Sequence, residues 1–162
     1  MSYTFRVEES MDREKFKAHG EVRAQFLEAK GILFIDLVGP FNLEFMQKYE
    51  GVVGLERKKI DQPCWGSLVN VHGLALAPME ATISGQAIVA KATSNGLIAT
   101  AIVLHESEGK ALQKIFWSRV YASSQLPYKY FDATEEAEAW LSDKLFISTQ
   151  ACKIDQRARV KE

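Results

Sequence analysis

The strongest constraint on the fold is a regular alternation of short apolar segments with longer segments of helical periodicity. Residues 32–39, 65–71, 97–104 and 128–131 have the composition of strands, and the first and third are apolar enough to be buried on both faces. Each is followed by a segment with helical features: apolar residues at helical spacing in three cases and a run rich in small residues after Pro78 in the other. This alternation predicts an α/β fold, because right-handed strand–helix–strand crossovers build a mostly parallel sheet.

A further strand comes before this alternation. Val22, Ala24 and Phe26 alternate with charged or polar neighbours, as in a strand with one exposed face. The short link that ends at Gly31 predicts a hairpin to the next strand. The predicted order is therefore strand, strand, helix, strand, helix, strand, helix, strand, helix.

Local residues indicate where the helices begin and end and which faces they bury. Asn42 is placed to cap the first helix, because its side-chain oxygen can accept a free backbone N–H. Pro78 suits the first position of the second helix, and Asn95-Gly96 suits its end. The predicted inner residues are Leu112, Ile115, Phe116 and Val120 in the third helix and Ala137, Trp140, Leu141 and Leu145 in the fourth.

Length and composition predict one globular domain with short flanking segments. The chain has 162 residues, of which 47% are apolar and 25% charged, and a chain of this length buries about 70% of its unfolded surface. We expect an N-terminal extension over residues 1–19, the α/β domain over 20–145 and a surface tail over 146–162. Cys64 and Cys152 are isolated and are expected to be free thiols.

The net charge and the hydropathy of the sequence indicate which partners and which cellular location to expect. A formal charge of −1 gives no reason to expect a nucleic-acid partner, because nucleic-acid-binding domains usually carry a basic excess. We find neither a secretory signal nor an apolar run approaching the roughly 18 residues of a membrane span. The sequence therefore predicts a cytoplasmic protein without stable membrane insertion.

Polar residues follow the predicted strands at their carboxyl ends. Ligands of parallel sheets collect outside this edge, near the N-termini of the helices. Asn42, His72, His105 and Asp132 lie there and are the candidate ligand- or partner-binding residues. We predict no catalytic residue, metal site or cofactor, because zinc-binding, phosphate-binding and nucleophile motifs are missing from the sequence.

One glycine pair allows an alternative interpretation. Gly51 and Gly54, followed by three basic residues, match superficially the GxxG turn with which KH domains clamp a nucleic-acid backbone. Acidic residues on both sides oppose that function. The structural alternative places both glycines inside the first helix, where close packing or a local break would explain them.

Two stretches carry a family resemblance, "GPFN" at 39–42 and "YKYFDATEEAEAWL" at 128–141. In the second, a strand that ends in Phe131 leads through an acidic turn to a helix with Glu136-Ala137 and Trp140-Leu141. Together with the element order, over roughly residues 20 to 145, they resemble the STAS or anti-sigma-factor-antagonist-like family of small bacterial proteins. The resemblance implies a five-stranded sheet in the order 1-3-2-4-5, with the first strand antiparallel, and four helices. This architecture is related to that of CRAL-TRIO lipid-transfer domains.

The resemblance also bears on function. Antagonists of this family are switched by phosphorylation of a serine at the start of the helix after the third strand. The matching residues here, 75–79, contain no hydroxyl, and Ser84 lies two turns too late. The resemblance therefore implies a non-enzymatic binding or regulatory module without this switch, which acts on a protein partner or a small ligand; a homodimer is also possible.

Two alternative functions stay open. The aromatic residues of the C-terminal half would let the protein carry an apolar ligand such as a fatty acid or lipid, although aromatic residues at this spacing are more typical of a core. An enzyme that uses His72 and His105 is the third hypothesis.

Overall fold

The computed structural model describes residues 20–73, 78–105 and 109–160, without the side chains of 152–156 and 158–160. The predicted extension over 1–19 and most of the corner after the third strand, residues 74–77, lie outside the described residues. The described elements follow the predicted order. The strands are β1 (Glu21–Leu27), β2 (Ile32–Val38), β3 (Trp65–His72), β4 (Leu97–Leu104) and β5 (Tyr128–Phe131), and the helices are α1 (Leu43–Arg57), α2 (Met79–Ser94), α3 (Lys110–Ala122) and α4 (Thr134–Val160).

The five strands form one sheet in the order β1-β2-β3-β4-β5. β1 is antiparallel to β2 and the other pairs are parallel, as expected. The expected order 1-3-2-4-5 is wrong, because β2 pairs with β3 along its whole length. The tight turn at Gly31, where φ is +68°, joins β1 directly to β2 and leaves the other edge of β2 to β3.

The consecutive order decides which face each helix covers. Successive right-handed crossovers that all step in the same direction place α1, α2 and α3 on one face of the sheet. The larger core lies there, and α4 covers a smaller core on the opposite face, where it packs on β3, β4 and β5. The buried residues of this smaller core are Ile32, Leu68, Ala99, Ala101, Val103, Ala137, Leu141 and Leu145.

Helix α4 confirms its predicted inner face but not its predicted length. Ala137, Leu141 and Leu145 are buried and Trp140 is half-buried. The helix has 27 residues, or about 40 Å, whereas the eight residues of β3 span about 26 Å. The segment predicted as a surface tail is therefore the second half of α4, and its residues Phe146 and Ile147 are exposed. No helix among the described residues, including the long α4, is both long and apolar enough to cross a membrane.

The second face of β2 is only partly covered. We expected this strand to be buried on both faces, but Asp36 and Val38 are exposed. Both point to the α4 side, and α4 lies over β3, β4 and β5 instead. The carboxyl end of β2 is thus open to solvent on that face.

The face of helix α3 that packs against the core differs from the predicted face. Phe116 and Val120 are buried as expected, but Leu112 is 66% exposed and Ile115 is 49% exposed. Apolar residues occur nearly all round this helix, so their spacing alone did not select the buried face. The residues of α3 that face the core are Gln113, Phe116, Trp117, Val120 and Tyr121.

The predicted start of α1 and both predicted ends of α2 are close to those observed. The Asn42 side chain caps α1 by accepting the Phe45 N–H at 2.8 Å. Pro78 immediately precedes α2 instead of occupying its first position. Helix α2 stops at Asn95-Gly96 as expected, and Gly96 adopts a φ of +105° that favours glycine.

Gly51 and Gly54 both lie within α1. The turn that a KH-type clamp requires is therefore not formed, and the helical alternative is confirmed. A Cβ atom at Gly51 would meet no atom within 4 Å, so close packing does not explain this glycine.

We predict that Gly51→Ala raises the free energy of unfolding by about 1 kcal/mol, because alanine gains helix propensity and the added methyl group has open space. Chemical denaturation monitored by circular dichroism measures the change. The control, Gly96→Ala, should lower the free energy of unfolding, because φ is positive at this residue and the new Cβ would lie 2.3 Å from the Pro63 carbonyl oxygen. A destabilised Gly51→Ala variant would contradict a continuous helix at this position.

Candidate functional site

The two candidate histidines meet at the carboxyl edge of the sheet. His72 ends β3 and His105 follows β4, and their rings stack with centroids 4.4 Å apart at an angle of 5°. The neighbouring backbone is fixed, since Gly39 N–H donates to the His72 carbonyl and His105 N–H donates to the Val71 carbonyl. Two of the four candidate residues thus form one stacked pair.

Asn70 connects this pair to α4. Its side-chain oxygen lies 2.9 Å from Nε2 of His105 and accepts the Thr134 hydroxyl at 3.3 Å. An amide oxygen only accepts hydrogen bonds, so Nε2 of His105 donates in this contact. Because Thr134 is the first residue of α4, the network links both strand ends to the start of this helix.

Sequence reasoning missed Asn70 and Thr134, although a signal for Asn70 was present. Side chains two residues apart on a strand share a face, and Asn70 is the polar residue two positions before His72. Thr134 gave no comparable signal, since its contact depends on how α4 crosses the sheet. The pair and its network form a fixed polar surface that is partly open to solvent.

The other two candidates have separate contacts. Asn42 caps α1, while Asp132 pairs with Lys110, its oxygen lying 3.0 Å from Nζ at the start of α3. The described residues contain no group of three or more His, Cys, Asp or Glu side chains that could hold a metal ion. Neither finding tests whether the four candidates bind a ligand or partner, which stays a prediction.

The Asp132–Lys110 pair has a predictable pH dependence. The hydrogen bond and positive charge of Lys110 hold the pKa of the Asp132 carboxyl below its usual range. A carboxyl group whose pKa is lower in the folded state than in the unfolded chain stabilises the fold at higher pH, and this contribution is lost as the pH falls through the folded-state pKa.

We predict that Lys110→Gln raises the pKa of Asp132, because the glutamine removes the positive charge that favours the carboxylate. An NMR titration of the Asp132 carboxyl carbon measures the shift. Lys144→Gln serves as the control, since Lys144 lies over the Trp140 ring and should leave the pKa of Asp132 unchanged. Equal pKa values in the original protein and Lys110→Gln would contradict the contact.

A small cavity lies on the face of the sheet opposite α4, between the sheet and helices α1 and α2. Its volume is about 30 Å³. The Ser67 and Thr100 hydroxyls form a 2.8 Å hydrogen bond in its wall. Burial raises the pKa of Tyr49 and that of Tyr121, so both phenols stay neutral. The cavity has room for a water molecule or two, whereas ligand pockets usually measure roughly 300–1,000 Å³, so it does not admit an acyl chain.

A larger pocket of about 280 Å³ opens at the amino-terminal edge of the sheet, where α1 and α2 end. We call it the basic pocket. Arg57 and Trp65 line both this pocket and the small cavity. The residues that line the basic pocket are Arg57, Lys58, Ile60, Trp65, Lys91 and Asn95.

Exposed apolar side chains lie on neighbouring turns of α2 and α3. Gln86 donates to the Arg119 carbonyl at 2.9 Å and fixes these helices side by side. Ile83 lies one turn before Gln86, and Ile115 lies one turn before Arg119, so the two isoleucines occupy matching turns. We call the exposed group of Met79, Ile83, Leu112 and Ile115 the α2–α3 patch; the exposed fractions are 68%, 60%, 66% and 49%.

Comparison with solved structures identifies the fold. The chain is similar to an uncharacterised protein of the DUF3478 family, with a SpoIIAA-like fold, from Shewanella loihica PV-4. The TM-score is 0.53 at 14% sequence identity, over 76% of this chain and 94% of that one. No protein-family model matches the chain, and no curated protein matches it significantly. The protein therefore has a SpoIIAA-like, STAS-like α/β fold, as the resemblance implied.

Proposed function

We propose that this chain is a non-enzymatic binding module that recognises an acidic, partly apolar surface of a protein partner through the α2–α3 patch. The observation that carries the proposal is the exposure of four large apolar side chains on adjacent helix turns. Contiguous apolar groups on a water-exposed surface are typical of interaction sites, whereas scattered single ones are ordinary. In a partner complex these side chains would be removed from water, which favours association.

The charge of α3 defines the partner. The helix carries Lys110, Lys114 and Arg119 and has no acidic residue; Lys110 pairs with Asp132, which leaves Lys114 and Arg119 to face a partner. Carboxylates around an apolar centre on the partner would complement these charges and speed the encounter. A second copy of this chain complements them poorly, because a symmetric contact would bring α3 against α3 with like charges opposed. We therefore assign the patch to a different protein.

The histidine pair belongs to a different surface from the patch. Helices α2 and α3 begin where β3 and β4 end, so the patch lies towards the carboxyl edge of the sheet. The Asn70 side chain reaches Thr134 of α4 on the opposite face, and His72 shares that side of β3, so the pair is not assigned to this interface. The matching corner for a phosphorylation switch includes residues 74–77, which lie outside the described residues, and the proposal does not depend on it.

The test compares the proteins retained by immobilised original protein with those retained by two variants. Ile83→Asp places a charge in the patch, and Phe146→Asp makes the same kind of change at an equally exposed residue on α4. We predict at least one protein whose binding is about tenfold weaker or more with Ile83→Asp, since desolvating a carboxylate at an apolar contact is costly. Isothermal titration calorimetry with that purified protein gives the dissociation constants.

The control decides the interpretation. Phe146→Asp should bind like the original protein, and sedimentation equilibrium should show a monomer. The proposal is wrong if both variants lose the same proteins, if neither does, or if the patch instead mediates a dimer that Ile83→Asp dissociates.

A further inference from the structure

We infer that the basic pocket binds the oxyanion group, phosphate or carboxylate, of a small metabolite. Its volume of about 280 Å³ is far larger than the space that one water molecule needs. It lies at the amino-terminal edge of the sheet, away from the histidine pair and the start of α2 and α3. The inference therefore does not depend on the proposed partner interface.

The charges around the pocket favour an anion. Arg57, Lys58 and Lys91 line it, and no carboxylate does so among the described residues. Two sources of negative charge oppose an anion. Glu50 pairs with Arg57, and the carboxyl ends of α1 and α2 each contribute about half a negative charge. Three positive charges exceed these opposing charges by about one elementary charge, so the pocket retains an attraction for an anion.

Arg57 supplies a directed contact. Its side chain is 10% exposed, which is unusual for arginine, and among the described residues its polar contact is one 3.4 Å approach to Glu50. A guanidinium group has five N–H donors in a planar fork that matches carboxylate and phosphate oxygens. Most of these donors therefore remain for a ligand.

The remaining lining residues describe the rest of the ligand. Ile60 and Trp65 provide an apolar wall, and the Trp65 ring is fixed because its N–H donates to the Asn95 carbonyl at 3.0 Å. The Asn95 side chain is held in turn by the Lys91 carbonyl at 3.0 Å. A compact ligand with an anionic head and a small apolar body fits this combination.

The test is an NMR titration of the ¹⁵N-labelled full chain with inorganic phosphate and, separately, with benzoate, at constant ionic strength maintained with sodium chloride. We expect saturable shifts of the Trp65 indole N–H and of the Lys58 and Lys91 amides with at least one probe. Lys58→Gln and Lys91→Gln should each weaken binding roughly three- to tenfold, as expected for the loss of one partly exposed charge contact. Both side chains are exposed, so the variants should fold, and the same spectra verify this.

Lys59→Gln is the matched control. It removes the same charge from the adjacent position, but Lys59 points to Glu56 at 2.6 Å and does not line the basic pocket. Its affinity should equal that of the original protein within about twofold. Shifts that fail to saturate with either probe, or equal weakening by Lys59→Gln, would overturn the inference.

Discussion

The packing of α4 on the sheet is the contact on which the rest of the structure depends. A consecutive strand order commits α1, α2 and α3 to one face, so the apolar side chains of the other face rely on α4. Small residues let this helix come close: a Cβ atom at Gly66 would lie only 3.1 Å from Leu141, and Ala99 and Ala101 are fully buried beneath the helix. Without α4, the apolar side chains beneath it would be exposed to water. The free-energy cost of that exposure is roughly 25 cal/mol per Å² of apolar surface.

Because helices cover both faces of the sheet, the polar groups that a ligand or partner can reach lie at its two edges. The interior contains a cavity of about 30 Å³, which is too small for an acyl chain. The carboxyl edge has the stacked histidines on its α4 side and the α2–α3 patch on its other side, and the patch fits recognition of a protein surface. The amino-terminal edge has the basic pocket, where the C-terminal turns of α1 and α2 place Arg57 and Lys91. One fold thus offers two separate surfaces of different chemistry.

The sequence predicted the features that depend on local pattern. Element order, most helix ends, the Asn42 cap and the inner face of α4 follow from periodicity and turn residues. Features that depend on tertiary contacts were not predictable in the same way: the neighbour of β2, the buried face of α3 and the Asn70–Thr134 contact. The basic pocket was missed for a related reason, since Arg57 and Lys91 are far apart in sequence and meet only because two helices end at one edge.

Native-state hydrogen exchange of α4 tests this account most directly. If the first half of the helix covers the sheet and the second half extends beyond it, amides in residues 138–145 should exchange as slowly as those of β3 and β4. Amides in residues 149–160 should exchange much faster, because exposed helix opens locally without unfolding the core. Equal protection along all of α4, or fast exchange in its first half while β3 and β4 stay protected, would contradict the dependence of the sheet on this helix.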